Sequence, residues 1–213
     1  MKVVTALKLS GRNKNRVDVY LDGKKAFVWT KSIALELKVG QELLQNQIAE
    51  LKERDTEERI FQHALRLINR RPRSERELRD SFRKKRASSD IQEAVLTRLR
   101  EKGLVDDRAF AEAWVENRLA FRPRSSWALK YELRKKGIDR ETIGIVLEGF
   151  NNEEAAYTAA LKAARKMTDY SWDLFHKRLA AYLRRRGFKY STISPVIKRV
   201  WNEKGGTRDE SEV

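Results

Sequence analysis

The chain has 213 residues, 40% hydrophobic and 37% charged, and carries a formal net charge of +16 with a pI near 10.1. Ordinary globular domains are only about a quarter charged, so a thin core spread along the chain is expected, and such a surplus of cations calls for an anionic partner: nucleic acid first, then an acidic protein surface or anionic lipid. The absence of cysteine excludes disulfides, thiolate metal sites and cysteine nucleophiles.

The opening MKVVTALKLSGRNKNR lacks the apolar run of a signal peptide, and no stretch approaches the length of a membrane span. The chain is therefore expected to be cytosolic, away from membranes. In VVTALKLS the apolar Val4, Ala6 and Leu7 mix with Thr5, Lys8 and Ser10. RVDVYL then alternates cleanly, Val17, Val19 and Leu21 on one face, Asp18 and Tyr20 on the other. Asp22-Gly23 before AFVW is a hairpin signal, and Gly11 to Asn15 supplies an earlier turn. The N-terminus, 1–54, is thus predicted to be a small antiparallel sheet of about three strands. SIALELKVGQELLQNQIAEL should cover one face as short helices, broken at Gly40, with Asn46 as an N-cap. The charged run Lys52–Arg59 (KERDTEER) is placed at the domain boundary, although Thr56 with Glu58 and Arg59 equally fits the start of the next helix.

Beyond it the hydrophobic period becomes helical, with Ile60, Ala64, Leu67 and Ile68 on one face. Sliding the chain by 51 and then 50 residues superposes five apolar columns without a gap: Leu78, Leu129 and Leu179; Phe82, Leu133 and Leu183; Val95, Val146 and Val196; Leu96, Leu147 and Ile197; Leu99, Phe150 and Val200. A fixed period of this length marks a repeat architecture. The i, i+4 and i, i+1, i+4 spacings define two helices per copy, preceded by a third that aligns less well. The copies fall at 55–103, 104–150 and 151–203, and the polar 204–213 is expected to be a disordered tail. Five apolar columns cannot alone offset the ordering entropy of a copy, so neighbouring copies are expected to share burial.

The string RPRS occurs at 71–74 and at 122–125, in a chain with three prolines. Pro72 ends a helix by restricting Arg71, and Ser74 caps the next, with Glu77 completing a capping box. Ser125 repeats the cap, and Ser171 takes that place in copy three. Gly137 and Gly187 suit left-handed positions after the middle helices. Copy one has Arg86 there, a more strained turn. Ser88 and Asp139 are further N-caps.

A cationic triplet closes each middle helix: Arg83, Lys84 and Lys85; Arg134, Lys135 and Lys136; Arg184, Arg185 and Arg186. One cation there complements the helix dipole, but three in a row point around the helix and suit phosphate contact. Arg71, Arg73, Arg122 and Arg124 can extend the same basic stripe or be simple exposed turn residues. Trp114, beside Phe110 and Val115, and Trp201, beside Val200, read as core. Trp127 and Trp172, in first turns of middle helices, stay open between packing and base stacking.

The strings ALRLINRRPRSERELRDSF, LREKGLVDDRAFAEAWVENR, LRKKGI and LRRRGF resemble the RecX family of recombinase regulators over residues 57–203, and NRVDVYLDGKKAF to LKVGQEL is similar to the start of its longer members. Arg86, where the family has glycine, is a departure. The resemblance implies a mainly α fold, three tandem three-helix repeats in an elongated curved array after the small β-sheet with its short helices. It implies a monomer that binds the groove of the RecA–single-stranded-DNA filament and touches DNA, single-stranded or double-stranded. RecA's ATPase, strand exchange and coprotease activities would fall because filament growth is blocked or disassembly promoted, in the setting of homologous recombination, DNA repair and the SOS response. No catalytic residue, cofactor or metal is expected. Asp106-Asp107, within one of these strings, reads as a helix start. The alternative is a stand-alone helix-turn-helix-like DNA-binding protein, architectural or transcriptional. A nuclease is disfavoured, because His63 and His176 lie within helical segments and no catalytic motif is present.

Overall fold

The computed structural model describes residues 1–11 and 14–205. They form two compact units, Met1–Asp106 and Asp107 onward. No helix of the described residues is long and apolar enough to cross a membrane.

The first unit opens with strands β1 (Lys2–Leu9), β2 (Arg16–Leu21) and β3 (Lys24–Thr30), then a short α1 (Lys31–Ala34) and a two-residue strand β4 (Glu42–Leu43). The sheet order is β3-β2-β1-β4, every neighbour antiparallel. The alternation in RVDVYL holds: Val17, Val19 and Leu21 are buried. Asp22 and Gly23 both have positive φ, 49° and 79°, as a type I′ hairpin needs. The Asp22 carboxylate accepts from the Val3 N–H at 2.9 Å, and Lys2 pairs with it at 2.7 Å. A fourth strand was not foreseen, since two residues carry no alternation to read. The expected turn at Gly11 to Asn15 falls partly outside the described residues.

Helix α2 (Gln45–Ile68) has 24 residues and runs straight through the charged segment that the sequence suggested as a boundary. That segment contains helix formers and neither Gly nor Pro, so nothing in it stops a helix. One residue turns inward: Asp55, 4% exposed, accepts from the Thr30 N–H at 2.6 Å. The first part of α2 covers the sheet through Ile48 and Leu51. Its second part, through Ile60, Phe61 and Ala64, joins the core of α3 (Glu75–Lys84) and α4 (Ser89–Glu101). The N-cap is Leu44, not Asn46, and Gln47 completes the start by accepting from the Leu44 N–H at 2.8 Å. This is the return half of a capping box: the Gln side chain serves the N-cap N–H, and leucine has no oxygen to serve the N–H of the third helical residue.

The second unit holds α5 (Asp107–Phe121), α6 (Ser126–Lys135), α7 (Arg140–Val146), α8 (Asn152–Ala164), α9 (Trp172–Arg185) and α10 (Tyr190–Glu203). Helices α5 to α7 enclose Phe110, Ala111, Val115, Leu129, Leu133, Ile138, Ile143 and Leu147. Helices α8 to α10 enclose five alanines of α8 together with Phe175, Leu179, Leu183 and the apolar face of α10. Leu119 and Phe150 pack against both clusters, so the second and third repeats share burial as expected. Of the five columns, only Val146 and Phe150 are less than fully buried. The reason is local: α7 spans 7 residues, and Gly149 turns the chain at φ 66°. The end of α10 is closed by Lys204, placed in the tail by the sequence, whose Nζ donates to the Ala164 and Met167 carbonyls at 2.8 and 2.9 Å. The rest of the expected tail, from Gly206, lies outside the described residues.

Candidate nucleic-acid interface

The C-terminal turns of the three middle helices have one construction. The N–H of Ala87 returns to the Phe82 carbonyl, that of Ile138 to Leu133 and that of Phe188 to Leu183, at 3.2, 3.1 and 3.3 Å. The residue before each is left-handed: Arg86 at φ 58°, Gly137 at 87° and Gly187 at 86°. These are Schellman closures, and they set each cationic triplet at the same three positions of its helix. The N-caps also repeat. Ser74 accepts from the Glu77 N–H at 3.3 Å and Ser125 from the Ala128 N–H at 3.2 Å. Ser88 and Asp139 cap α4 and α7 through Ile91 and Thr142. Ser171 stands at the N-cap of α9 but accepts no capping hydrogen bond.

The two RPRS strings differ in their surroundings. In the first, Arg71 grips Glu77 through two hydrogen bonds of 2.9 and 3.0 Å, and that pairing raises the guanidinium pKa above its ordinary value. Arg73 is half-buried and reaches the Leu67 carbonyl at 3.5 Å. At the other end of α3, Arg83 pairs with Asp80, while Lys84 and Lys85 are exposed. Lys85 also lines a groove of about 510 Å³, with Arg16, Lys31, Arg59, His63 and Arg66 among its walls. Burial, followed by the charges of Lys85 and Arg66, holds the His63 pKa below its ordinary value, and its Nε2 lies 2.8 Å from the Ser81 Oγ.

The second RPRS is a docking point. The Ser125 N–H donates to the Arg186 carbonyl at 3.1 Å, and the Arg186 guanidinium donates to the Pro123 carbonyl at 3.1 Å. An orphan carbonyl at the end of α9 thus meets an orphan N–H at the start of α6. Gly187 permits the approach: a Cβ there would lie 2.7 Å from the Ser125 Oγ and 3.0 Å from the Ala128 Cβ. Nearby, Asn152 of α8 accepts from the Ser126 N–H at 2.9 Å and donates to the Ser126 Oγ at 3.0 Å. The sequence placed Arg122 and Arg134 at opposite ends of α6, about 15 Å apart for ten residues. They stand so in the structure, which in addition sets Arg186 of the third repeat's triplet against the second RPRS.

The predicted residues of this unit divide by what they touch. Arg124 Nε stands 3.0 Å from Glu132, poorly aligned for a hydrogen bond. Arg186 stacks on Tyr182 at 4.5 Å and Lys136 on Trp114 at 4.9 Å. Arg122, Arg134, Lys135, Arg184 and Arg185 are exposed, and Lys135 lies 4.6 Å from the Tyr131 ring centre. Sequence reasoning missed Glu132, whose carboxylate receives Trp114 Nε1 and Arg118 Nε, both at 2.8 Å. It also missed Tyr131. Tyr131 was legible, because Ala128, Leu129 and Leu133 set the buried face of α6 and leave 127 and 131 outside. Trp114, Trp172 and Trp201 are partly buried against core clusters, whereas Trp127 is 67% exposed.

Helix–turn–helix–turn–helix units with matching cores, caps and cationic ends define a tandem three-helix-repeat protein. Family models for the first, second and third three-helix domains of RecX match residues 61–99, 106–147 and 151–197. A regulatory protein RecX of Streptomyces lividans is 35% identical over 155 residues, 71% of this chain and 82% of the relative. One from Bacillus subtilis is 30% identical over 205 residues, 94% of this chain and 78% of the relative. The chain belongs to the RecX family. In fold it is similar to a crystal structure of regulatory protein RecX, with a TM-score of 0.69 at 24% identity over 93% of this chain and all of that one. A RecX from Lactobacillus salivarius gives 0.58 at 23% identity, over 68% and 97%. The resemblance read from RPRSERELR and GLVDDRAFA is borne out.

Proposed function

We propose that this chain is a non-enzymatic regulator of RecA. It binds the groove of the RecA–single-stranded-DNA filament and the DNA within it, blocks filament growth or promotes disassembly, and so lowers ATPase, strand-exchange and coprotease activity. Family membership supports the regulatory role. The observation that carries the nucleic-acid part is the meeting of the end of α9 with the start of α6 through Arg186, Ser125 and Pro123, which joins a helix end bearing the exposed Arg184 and Arg185 to a turn bearing the exposed Arg122. Cations without acidic partners bind phosphate and release its counterions.

The test is RecA's ATPase on single-stranded DNA, with and without this protein. A dose-dependent fall is expected. An unchanged ATPase together with sequence-selective duplex binding would replace this reading by a stand-alone DNA-binding protein.

A further inference from the structure

Helix α6 carries an aromatic face that its own fold does not use. Trp127 and Tyr131 are 67% and 53% exposed, one turn apart, with ring planes within 7° and centroids 6.3 Å apart. Lys135, one turn further, has its Nζ over the Tyr131 ring at 4.6 Å from the centroid. Lys130 and Arg134 fall on the same side and are exposed. The one carboxylate of α6, Glu132, is turned away into the grip of Trp114, Arg118 and Arg124. An aromatic face left exposed is free to meet a partner, and on its own helix it is flanked by Lys130, Arg134 and Lys135.

We infer that the Trp127–Tyr131 pair is a stacking platform for the unpaired bases of single-stranded nucleic acid, with Lys130, Arg134 and Lys135 holding the adjoining phosphates. The occupant follows from charge and shape together. A purely apolar partner helix would leave three cations unmatched, and duplex DNA hides its base faces. An unpaired strand offers flat rings and phosphates at once. Tyr131 and Lys135 stack below Trp127 and steady it, so Trp127 is the face that meets a base. The turn at Gly187, where a Cβ would lie 3.5 Å from Trp127 Cε3, sets the third repeat against one edge of this ring.

This inference rests on the nucleic-acid half of the reading above, and it is tested apart from RecA. The full chain and its variants are titrated with a fluorescent oligothymidine strand and with a hairpin duplex, across several salt concentrations. Trp127→Ala should lose strand affinity about 5- to 150-fold, keep duplex affinity and keep its salt slope. Trp127→Phe should recover most of the loss. Arg134→Gln should weaken both ligands and make the slope shallower by about 0.7 on the strand. Strand affinity that survives Trp127→Ala, or an equal loss on strand and duplex, overturns the platform. If Trp127→Ala keeps strand binding but no longer inhibits RecA's ATPase, the face is a protein contact instead. A wild-type protein that stacks the strand through Trp127 yet leaves the ATPase untouched sinks the RecA reading alone.

Discussion

One backbone position recurs after each middle helix, and the residues there feel it differently. Arg86 holds φ 58°, where Gly137 and Gly187 hold 87° and 86°. A side chain in the left-handed region costs about 1–2 kcal/mol, partly offset because glycine has more freedom to lose on folding. Arg86→Gly is therefore expected to stabilise the chain by about 0.5–1 kcal/mol, measured by denaturant unfolding. Gly187→Ala should do the opposite and by more than about 1 kcal/mol. It adds the same strain and also drives a methyl to 2.7 Å from the Ser125 Oγ, pushing α9 off the start of α6. Equal and small effects at both positions would show that the Gly187 contact with Ser125 carries no stability. The sequence revealed the left-handed turn through its glycines. It could not reveal that one of those glycines also lies against another repeat, because the contact joins residues 62 apart in the chain.

At the level of helices, the apolar columns and the caps were legible because they obey local rules. Leu78, Leu129 and Leu179 are all fully buried, and four of five expected serine or aspartate caps accept their hydrogen bond. The first helices align less well because they fill their cores with different volumes: Ile60 and Phe61 in α2, Phe110 and Val115 in α5, five alanines in α8. No shared column survives such a change. The continuity of α2 was missed because its charged middle has one inward residue, Asp55, whose partner Thr30 is far away in sequence. The triplets looked alike in sequence and do unlike work. Arg184 and Arg185 are exposed, whereas Arg186 donates to Pro123 and stacks on Tyr182. Replacing Arg184 and Arg185 by Gln should make the salt slope for single strands shallower by about 1.4 without lowering the melting temperature. Arg186→Gln should lower the melting temperature and change the slope by less. The paired readout separates a phosphate contact from a structural one, and a reversed pattern would reassign the triplet.

For the molecule as a whole, the governing quantity is the imbalance of 47 cations against 31 carboxylate side chains. Even if every acid found a partner, a formal +16 would remain without one, and the same surplus that attracts nucleic acid strains the protein alone. The ion pairs that do form are mostly at the surface, such as Arg54 with Glu36 or Arg199 with Glu203, where solvent screening leaves each pair little net worth. Salt therefore acts in two directions: it weakens these pairs and it screens the repulsion among the excess cations. The repulsion is summed over the whole surplus while each pair is worth little, so screening should win. Raising sodium chloride from low to physiological concentration is expected to raise the melting temperature. A short DNA strand at low salt should raise it further, by binding the native state in preference to the unfolded one. A melting temperature that falls as salt is added would mean that the surface pairs, and not the unbalanced charge, set the electrostatic stability of the chain. The phosphate lattice would then relieve no strain on binding.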